Sequence, residues 1–265
     1  MITKLTVVIP TNRTKYLDEA INSINGQHNF KCNILIVDDG ATPSIESQIG
    51  KQYPNLKYIK HSKNKGLPAS RNTGVKAVKT EFLVFLDCDD LLKPNFVQEM
   101  ISTCEKNNWQ ACVCLPDFFF SHGFPINRKI IFFLLSIIRD LLLLFSYIFN
   151  HKCLSRDGFF LVQSSHVIFK TALLRRFPSD ESYLTAANDW KLMAEILAQE
   201  KVGILPKKLS CYRYHYQSQS QSRNTVSKWV YYDRMLREIP NVCQKGSLVN
   251  FFKMYNFLGH RLLSS

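Results

Sequence analysis

The chain has 265 residues and a formal net charge of +13, and its length suffices for one large α/β domain with a C-terminal extension. Eight cysteines occur without CxxC pairs, and Met1 to Lys4 lead directly into the first predicted strand without a secretory signal. These features argue against a secreted, disulfide-bonded protein and predict reduced thiols in the cytoplasm.

Short hydrophobic strands alternate with helical segments over the first ninety residues. Leu5 to Ile9 form an apolar run that Pro10 ends, and apolar residues at helical spacing follow from 17 to 24. Further strands are predicted at 32–37, 56–59 and 82–86, with helices at 44–49 and 69–78. This alternation predicts parallel strands in a doubly wound sheet. Ligands of such sheets bind beyond the carboxyl ends of the strands, where Thr11, Asp39 and Asp89 fall.

Residues 85–90, Phe-Leu-Asp-Cys-Asp-Asp, place three carboxylates at the end of a predicted buried strand. Carboxylates this close repel one another unless a cation neutralises them, and a hard divalent ion that also binds a phosphate would do so. The alternative is a plain turn, in which Asp90 caps a helix that begins near Pro94.

The middle of the chain contains an unusually apolar segment. Residues 130–149 include fifteen Ile, Leu or Phe in twenty positions, which is long enough to span a bilayer. A single crossing would, however, place Asp89 and Asp189 on opposite sides of the membrane. We therefore expect half of a helical hairpin or an in-plane helix, resting on lipid or buried in protein. Ser136, Arg139, Asp140 and Tyr147 fall on one narrow face, which fits an interfacial helix.

The C-terminal part is strongly basic. Residues 201–265 contain eleven Lys or Arg but only Asp233 and Glu238 as acids, and the tail 251–263 mixes aromatic residues with cations. Such a pattern suits an anionic membrane surface. It would also suit nucleic acid, but no recognised nucleic-acid motif accompanies it, so we expect no nucleic-acid partner. Residues 217–222, Gln-Ser-Gln-Ser-Gln-Ser, are of low complexity and predict a mobile loop.

Four motifs occur in order over residues 5–95: Val-Val-Ile-Pro-Thr-Asn-Arg, Val-Asp-Asp-Gly, Asn-Lys-Gly-Leu-Pro-Ala-Ser-Arg-Asn-Thr-Gly and Phe-Leu-Asp-Cys-Asp-Asp. Together they resemble the successive motifs of family 2 glycosyltransferases. The resemblance implies an α/β fold of the GT-A type, a Rossmann-like, doubly wound mixed sheet with helices on both faces. The hydrophobic helical insertion (about 124–152) would separate a nucleotide-sugar half (about 1–117) from an acceptor and catalytic part (about 153–216), and a basic extension (217–265) would follow.

The resemblance also implies a donor site. Asp39 would accept a hydrogen bond from the nucleobase, most often uracil, and Thr11 would meet the base through its backbone, with Pro10 and Arg13 beside it. Arg71 would reach the base or the phosphates, and Asp87 would lie near the ribose. Considered without the resemblance, Asp39 could belong to an Asp-Gly turn and Arg71 to a solvated helix face.

The same resemblance implies roles for three further residues. Asp89 would hold Mn²⁺ or Mg²⁺ against the diphosphate, and His215 would contact the metal or the diphosphate, although it could instead pack at a strand end. Asp189 would be the general base, or would merely occupy the first turn of a helix. The family usually has Glu before this Asp, where Asn188 stands here, and Ser where Ala41 stands, and its first motif is one residue longer.

These observations predict a metal-dependent, inverting glycosyltransferase at the cytosolic face of a membrane. Its donor would be a nucleotide-sugar, most often a UDP-sugar, and its acceptor a hydroxyl of a glycan or a lipid-linked saccharide. Two other classes stay open: a non-catalytic nucleotide-sugar-binding or scaffold protein with a degraded site, and a nucleotidyltransferase. The second usually needs a Gly-rich loop after the first strand, which Pro-Thr-Asn-Arg is not.

Overall fold

The computed structural model describes residues 3–49, 53, 56–154, 162–183, 187–215, 234–235 and 237–239. The first half alternates strands and helices as predicted. Its elements are β1 (Leu5–Thr11), α1 (Leu17–Asn25), β2 (Asn33–Asp38), α2 (Glu46–Ile49), β3 (Lys57–Lys60), α3 (Leu67–Ala77) and β4 (Phe82–Phe85).

The second half is less regular. Its elements are β5 (Leu91–Leu92), α4 (Phe96–Asn107), β6 (Ala111–Phe120), α5 (Ile126–Phe149), β7 (Val167–Lys170), α6 (Thr171–Arg176), α7 (Ala187–Gln199) and β8 (Val202–Tyr214). The predicted loop 217–222 and the basic tail 251–263 lie outside the described residues.

The strands form one eight-stranded mixed sheet in the order β3-β2-β1-β4-β7-β6-β8-β5. β3, β2, β1 and β4 are parallel to their neighbours. β7 is antiparallel to both β4 and β6, β8 is parallel to β6, and β5 is antiparallel to β8. The mixed α/β sheet is therefore confirmed, whereas the parallel arrangement expected from the strand–helix alternation applies only to the first four strands.

Both faces of the sheet are covered. Along β1, Val7 and Ile9 point into one hydrophobic core, which includes residues of α1 and α4, and Val8 points into the other, which includes residues of α3, α6 and α7. In the second core α3 approaches β1 closely at Gly74. A Cβ at this position would lie only 2.5 Å from Val8 Cγ1, so the approach requires glycine. The alternation of apolar side chains along buried strands thus builds a three-layer domain with helices on both faces.

The long pair β6 and β8 extends the sheet toward α5 and contains a bulge. The register shifts around Leu115, and each strand carries a proline near that point, Pro116 in β6 and Pro206 in β8. Proline lacks the N–H that a regular ladder needs, so it is tolerated where the pairing is irregular. Beyond the bulge, β8 continues to Tyr214 and delivers His215 to the edge of the sheet where β1, β2 and β4 end.

Residues from the C-terminal part, 234–235 and 237–239, pack against α7. Met235 is buried in the hydrophobic core that covers α7, and Glu238 lies 2.9 Å from Lys191 Nζ and accepts a hydrogen bond from the Tyr183 hydroxyl. The Lys191 and Arg234 cations lower the pKa of Glu238 to about 2, with the Tyr183 hydroxyl acting in the same direction. This part of the predicted extension therefore covers the helix that carries Asp189.

Candidate active site

The candidate site lies where the parallel strands end. Thr11, at the end of β1, accepts a hydrogen bond at its carbonyl oxygen from the Asp39 N–H (2.8 Å), and the carbonyl of Asp38 accepts one from the His61 N–H (2.8 Å). Thr11 Oγ1 donates to the carbonyl of Arg13 (2.7 Å) and fixes the loop after β1. Pro10 lies beyond the last β1–β4 pair, so its missing N–H costs no ladder bond on that side.

The turn after β2 explains the Val-Asp-Asp-Gly motif. Asp38 Oδ1 accepts a hydrogen bond from the Ala41 N–H (2.7 Å), and Asp38 Oδ2 accepts one from the Tyr58 hydroxyl. Gly40 has φ 76°, and a Cβ there would lie 2.6 Å from the backbone N of Asn64. Asp38 and Gly40 thus shape the turn, and because Ala41 contributes its backbone N–H, the absence of the usual serine does not affect this contact.

Asp39 is buried, and groups from the loop before α3 surround its carboxylate. Oδ1 accepts a hydrogen bond from the Lys65 N–H (2.8 Å) and lies 2.8 Å from His61 Nδ1, while Oδ2 accepts one from the Gly66 N–H (2.8 Å). Burial opposes ionisation, but the two backbone donors and His61 outweigh it and lower the pKa of Asp39. The carboxylate is therefore an anionic acceptor at the sheet edge, and its contact with a base stays a prediction.

Asp89, Arg13 and His215 form the second group of the site. Asp89 Oδ2 lies 2.7 Å from His215 Nε2 and 3.3 Å from Arg13 Nη2. Burial tends to raise the pKa of Asp89, but the hydrogen bond to His215 and the Arg13 charge prevail and lower it. His215 thus lies beside Asp89, and the contact of either residue with a metal or a diphosphate stays a prediction. Among the described residues, no group of three or more His, Cys, Asp or Glu side chains could hold a metal ion unaided.

Arg213 and Asp90 stabilise the acidic turn, residues 87–90, through buried hydrogen bonds. Arg213 Nε donates to the carbonyl of Asp89 (2.9 Å), and the Arg213 N–H donates to Asp90 Oδ1 (3.1 Å). The guanidinium lies between the rings of Tyr16 and Phe119, with its central carbon 4.1 and 4.3 Å from the ring centroids. Burial and the neighbouring carboxylates raise the pKa of Asp90 well above its ordinary value. Asp90 therefore acts inside the turn rather than as a helix cap.

Arg71 is completely buried and joins the acidic turn after β4 to α7. Its Nη2 lies 3.8 Å from Asp87 Oδ1 and donates to Ser164 Oγ (2.6 Å), and its Nη1 forms an ion pair with Asp189. Desolvation raises the pKa of Asp87 to about 7, with the charge of Asp189 acting in the same direction and Arg71 opposing both. These partners differ from the nucleotide expected for Arg71, and that contact stays a prediction.

Asp189 lies in the first turn of α7 and retains 14% side-chain exposure. The preceding Asn188 is buried and accepts a hydrogen bond from Arg71 Nη1 at its Oδ1 (2.9 Å). Asn188 therefore occupies the position of the usual glutamate as a neutral acceptor for the same arginine that holds Asp189.

Three further residues support the site, and of these His61 was not anticipated from the sequence. His61 links Asp39 to Thr73 Oγ1, which lies 2.9 Å from His61 Nε2. Ser164 holds Arg71, and Ser165 Oγ accepts a hydrogen bond from the Asp87 N–H (3.2 Å). His61 follows β3 just as Asp39 follows β2. This shared position after neighbouring strands is the signal that could have identified it.

The structure defines an α/β domain with a cluster of acidic and basic side chains where its parallel strands end, and sequence comparison identifies the family. Residues 6–182 match the family described as "Glycosyl transferase family 2", so the chain belongs to that family. It is 37% identical over 132 residues to an uncharacterized glycosyltransferase of Rickettsia conorii, covering 48% of this chain and 20% of that protein. It is 25% identical over 240 residues to the glycosyltransferase GlyA of Streptococcus pneumoniae, covering 86% of this chain and 33% of that protein. The chain thus spans a third or less of the length of these relatives.

Solved structures share the fold at low sequence identity. S. aureus TarS 1-349 in complex with UDP superposes with a TM-score of 0.65 at 20% identity, covering 91% of this chain and 65% of that one. The mannosyltransferase PcManGT from Pyrobaculum calidifontis, in complex with GDP-Man and Mn²⁺, gives a TM-score of 0.64 at 14% identity, covering 92% and 66%. These matches confirm the GT-A type of fold for this chain.

Proposed function

We propose that this protein transfers a sugar from a nucleotide-sugar, most simply a UDP-sugar, to an acceptor hydroxyl in a single inverting displacement. The observation that carries this proposal is the bridge by Arg71, which holds Asp189 on α7 beside Asp87 at the end of β4. A general base must reach the acceptor hydroxyl while the oxygen of that hydroxyl attacks the donor's anomeric carbon. The bridge supports such a position for Asp189, because the same guanidinium contacts a residue of the donor motif.

The chemical step follows from these positions. Asp189 accepts the proton of the acceptor hydroxyl as the hydroxyl oxygen attacks the anomeric carbon. The bond from that carbon to the diphosphate oxygen breaks, and the nucleoside diphosphate leaves with the electron pair. A single displacement of this kind inverts the anomeric configuration, and its base needs no second carboxylate as nucleophile. Arg71 orients Asp189 through one nitrogen and Asp87 through the other.

The residues fit a divalent cation that binds mainly through the substrate. Asp89 Oδ2 and His215 Nε2 are 2.7 Å apart, so a cation held by both would replace the proton that now joins them, and Arg13 contacts the same carboxylate oxygen. Two protein donors suffice for Mg²⁺ or Mn²⁺ when phosphate oxygens supply the other ligands. When bound, the ion would offset the negative charge that develops on the departing diphosphate. Asp89 and His215 would hold it, and Arg13 would neutralise part of the charge that stays on the carboxylate.

Nucleotide recognition in this proposal depends on the loops beside Asp39. The carboxylate of Asp39 is an anionic acceptor, and the Asp39 N–H bonds to the carbonyl of Thr11, so the two residues would form one recognition surface for the N–H of a uracil ring. Family membership and the UDP complex of TarS support this assignment. We also propose that the reaction takes place on the cytosolic face of a membrane, since all seven cysteines of the described part carry free thiols.

Thermal stability tests the donor site. Unfolding is followed with Mn²⁺ and each of UDP, GDP, dTDP and CMP, in the wild type and in Asp89→Ala. A ligand that binds only the folded state at a hundredfold excess over its Kd stabilises it by about 2.7 kcal/mol. We expect stabilisation by UDP that requires Mn²⁺ and is lost in Asp89→Ala. If none of the four nucleotides stabilised the wild type, the donor-site assignments would be wrong.

A further inference from the structure

Helix α5 has its polar and apolar sides arranged opposite to those of an ordinary surface helix. All ten exposed large hydrophobic residues of the described part of the chain belong to it. They are Ile126, Ile130, Phe133, Leu134, Ile137, Leu141, Leu144, Phe145, Ile148 and Phe149. A contiguous apolar face of this size marks a site of interaction with another hydrophobic surface.

The charged residues at the centre of α5 face the protein. Arg139 donates from Nη2 to Asp140 Oδ1 (2.5 Å) and to the carbonyl of Pro116 (3.4 Å), and its guanidinium carbon lies 4.4 Å from the centroid of the Phe118 ring. Lys208 Nζ lies 3.6 Å from Asp140 Oδ2. The two charges that would oppose insertion into lipid are therefore paired against β6 and β8, and the opposite side of the helix is left apolar.

Both ends of α5 are attached to the same sheet. At its start, the Phe132 ring stacks on Tyr214 of β8 with centroids 4.1 Å apart. After its end, the Leu154 N–H donates to the carbonyl of Val202 (2.7 Å), and the Ile204 N–H donates to the carbonyl of Lys152 (2.8 Å). The helix is long and apolar enough to cross a bilayer, but these attachments keep it along the surface of the domain.

We propose that α5 is an in-plane membrane anchor whose apolar face inserts into the boundary between headgroups and acyl chains of an anionic bilayer. Basic residues flank the face, Arg128 and Lys129 in its first turn and His151 and Lys152 just after its end, and the exposed face itself carries no acid. Cations beside a wide apolar face are typical of helices that bind anionic lipid surfaces. A second copy of a chain with net charge +13 would instead bring like charges together.

The anchor adjoins the candidate active site. Tyr214, on which Phe132 stacks, directly precedes His215, and His215 lies beside Asp89. If the proposed glycosyl transfer is correct, the acceptor is a saccharide carried by a lipid of the same bilayer, because the anchor would hold the candidate active site next to the membrane surface. This step rests on the proposed function, whereas the binding of α5 to lipid does not.

Vesicle flotation of the full chain tests the anchor. The probes are liposomes of phosphatidylcholine alone and of phosphatidylcholine with phosphatidylglycerol, without nucleotide. Leu141→Glu/Phe145→Glu places two charges on the exposed apolar face, where the side chains are 58% and 57% exposed, so it removes no core contact. Gln98→Glu/Ser102→Glu adds the same charge at exposed positions of α4 and is the matched control.

We expect the wild type and the control to float with anionic liposomes, and the α5 variant to lose at least tenfold in the bound fraction. Equal binding by the α5 variant, or no binding by the wild type, would overturn the proposal. The proposal would also be overturned if light scattering showed that the wild type is a dimer, that the α5 substitutions make it a monomer, and that lipid does not change the dimer. UDP-dependent thermal stabilisation is measured separately, so a failed donor site and a failed anchor give different results.

Discussion

Arg71 and Asp189 are separated by 118 positions in the chain, yet they form an ion pair inside the candidate site. Arg71 has no exposed surface, and its other side-chain partners are Asp87, Asn188 and Ser164. The pair connects the first half of the sheet to α7, and it gives the proposed mechanism its most direct tests.

The first prediction concerns the base. Asp189→Asn keeps the size of the side chain and a carbonyl acceptor for Arg71 but removes the group that would take the proton. We expect the rate of sugar transfer, measured as release of nucleoside diphosphate, to fall by about 10²–10⁴-fold. Stabilisation by UDP with Mn²⁺ should persist, which separates lost chemistry from lost binding. A transfer rate within tenfold of the wild type would show that Asp189 is not the base.

The second prediction concerns the buried guanidinium. Arg71→Met should lower the free energy of unfolding in urea by about 3–5 kcal/mol, because it leaves Asp189 and Asp87 without their cation. Arg71→Lys keeps the charge but cannot span the same acceptors, so we expect an intermediate loss. The matched control is Arg176→Met, an exposed arginine paired with Glu200, which should cost no more than about 1 kcal/mol. Equal losses at the two positions would contradict the structural role of Arg71.

The third prediction concerns the metal. His215→Gln should weaken the apparent affinity for Mn²⁺ in the presence of UDP by about tenfold or more, equivalent to about 1.4 kcal/mol. Isothermal titration of Mn²⁺ into the protein–UDP mixture measures it. Asp117→Asn removes a carboxylate that pairs with Lys93 away from the site and provides the control. An unchanged Mn²⁺ affinity in His215→Gln would assign His215 to packing at the strand end.

The fourth prediction concerns pH and the buried His166. Burial, helped by the nearby Arg139 charge, lowers the pKa of His166 from 6.5 to about 3. Because the folded-state pKa lies below the unfolded-state value, stability is fully present above pH 6.5 and is lost as the pH falls toward 3. The contribution of this one residue should reach about 2 kcal/mol lost at pH 5.

Urea unfolding at pH 7.5 and pH 5 checks that effect. His166→Gln keeps a polar partner near Ser210 Oγ, which lies 2.9 Å from His166 Nδ1, and should show a loss between the two pH values that is smaller by about 2 kcal/mol. The same substitution at the exposed His122 serves as the control. If His166→Gln lost as much stability between pH 7.5 and pH 5 as the wild type does, protonation of His166 would not be the cause of the wild-type loss.

The first, parallel half of the fold was predictable because its information is local. Each of its strands is a short apolar run that ends at a turn, and Asp39 and Asp89 lie in the turns after two such runs. The long strands β6 and β8 were not anticipated, since Pro116 and Pro206 interrupt runs that the bulge accommodates. The contact between Arg71 and Asp189 could not be derived from the sequence spacing. It depends on how α7 packs on the sheet after the antiparallel strand β7.

The position of β8 has a consequence for the smallest unit that can fold on its own. The family match ends at residue 182, yet β8 fills the space between β6 and β5 in the sheet, and Met235 completes the core over α7. A chain shortened to the matched region would expose the edge of β6 and part of that core to water. A unit that keeps this sheet and this core intact therefore includes β8 and Met235, and trimming to the matched region would also remove Asp189 and His215.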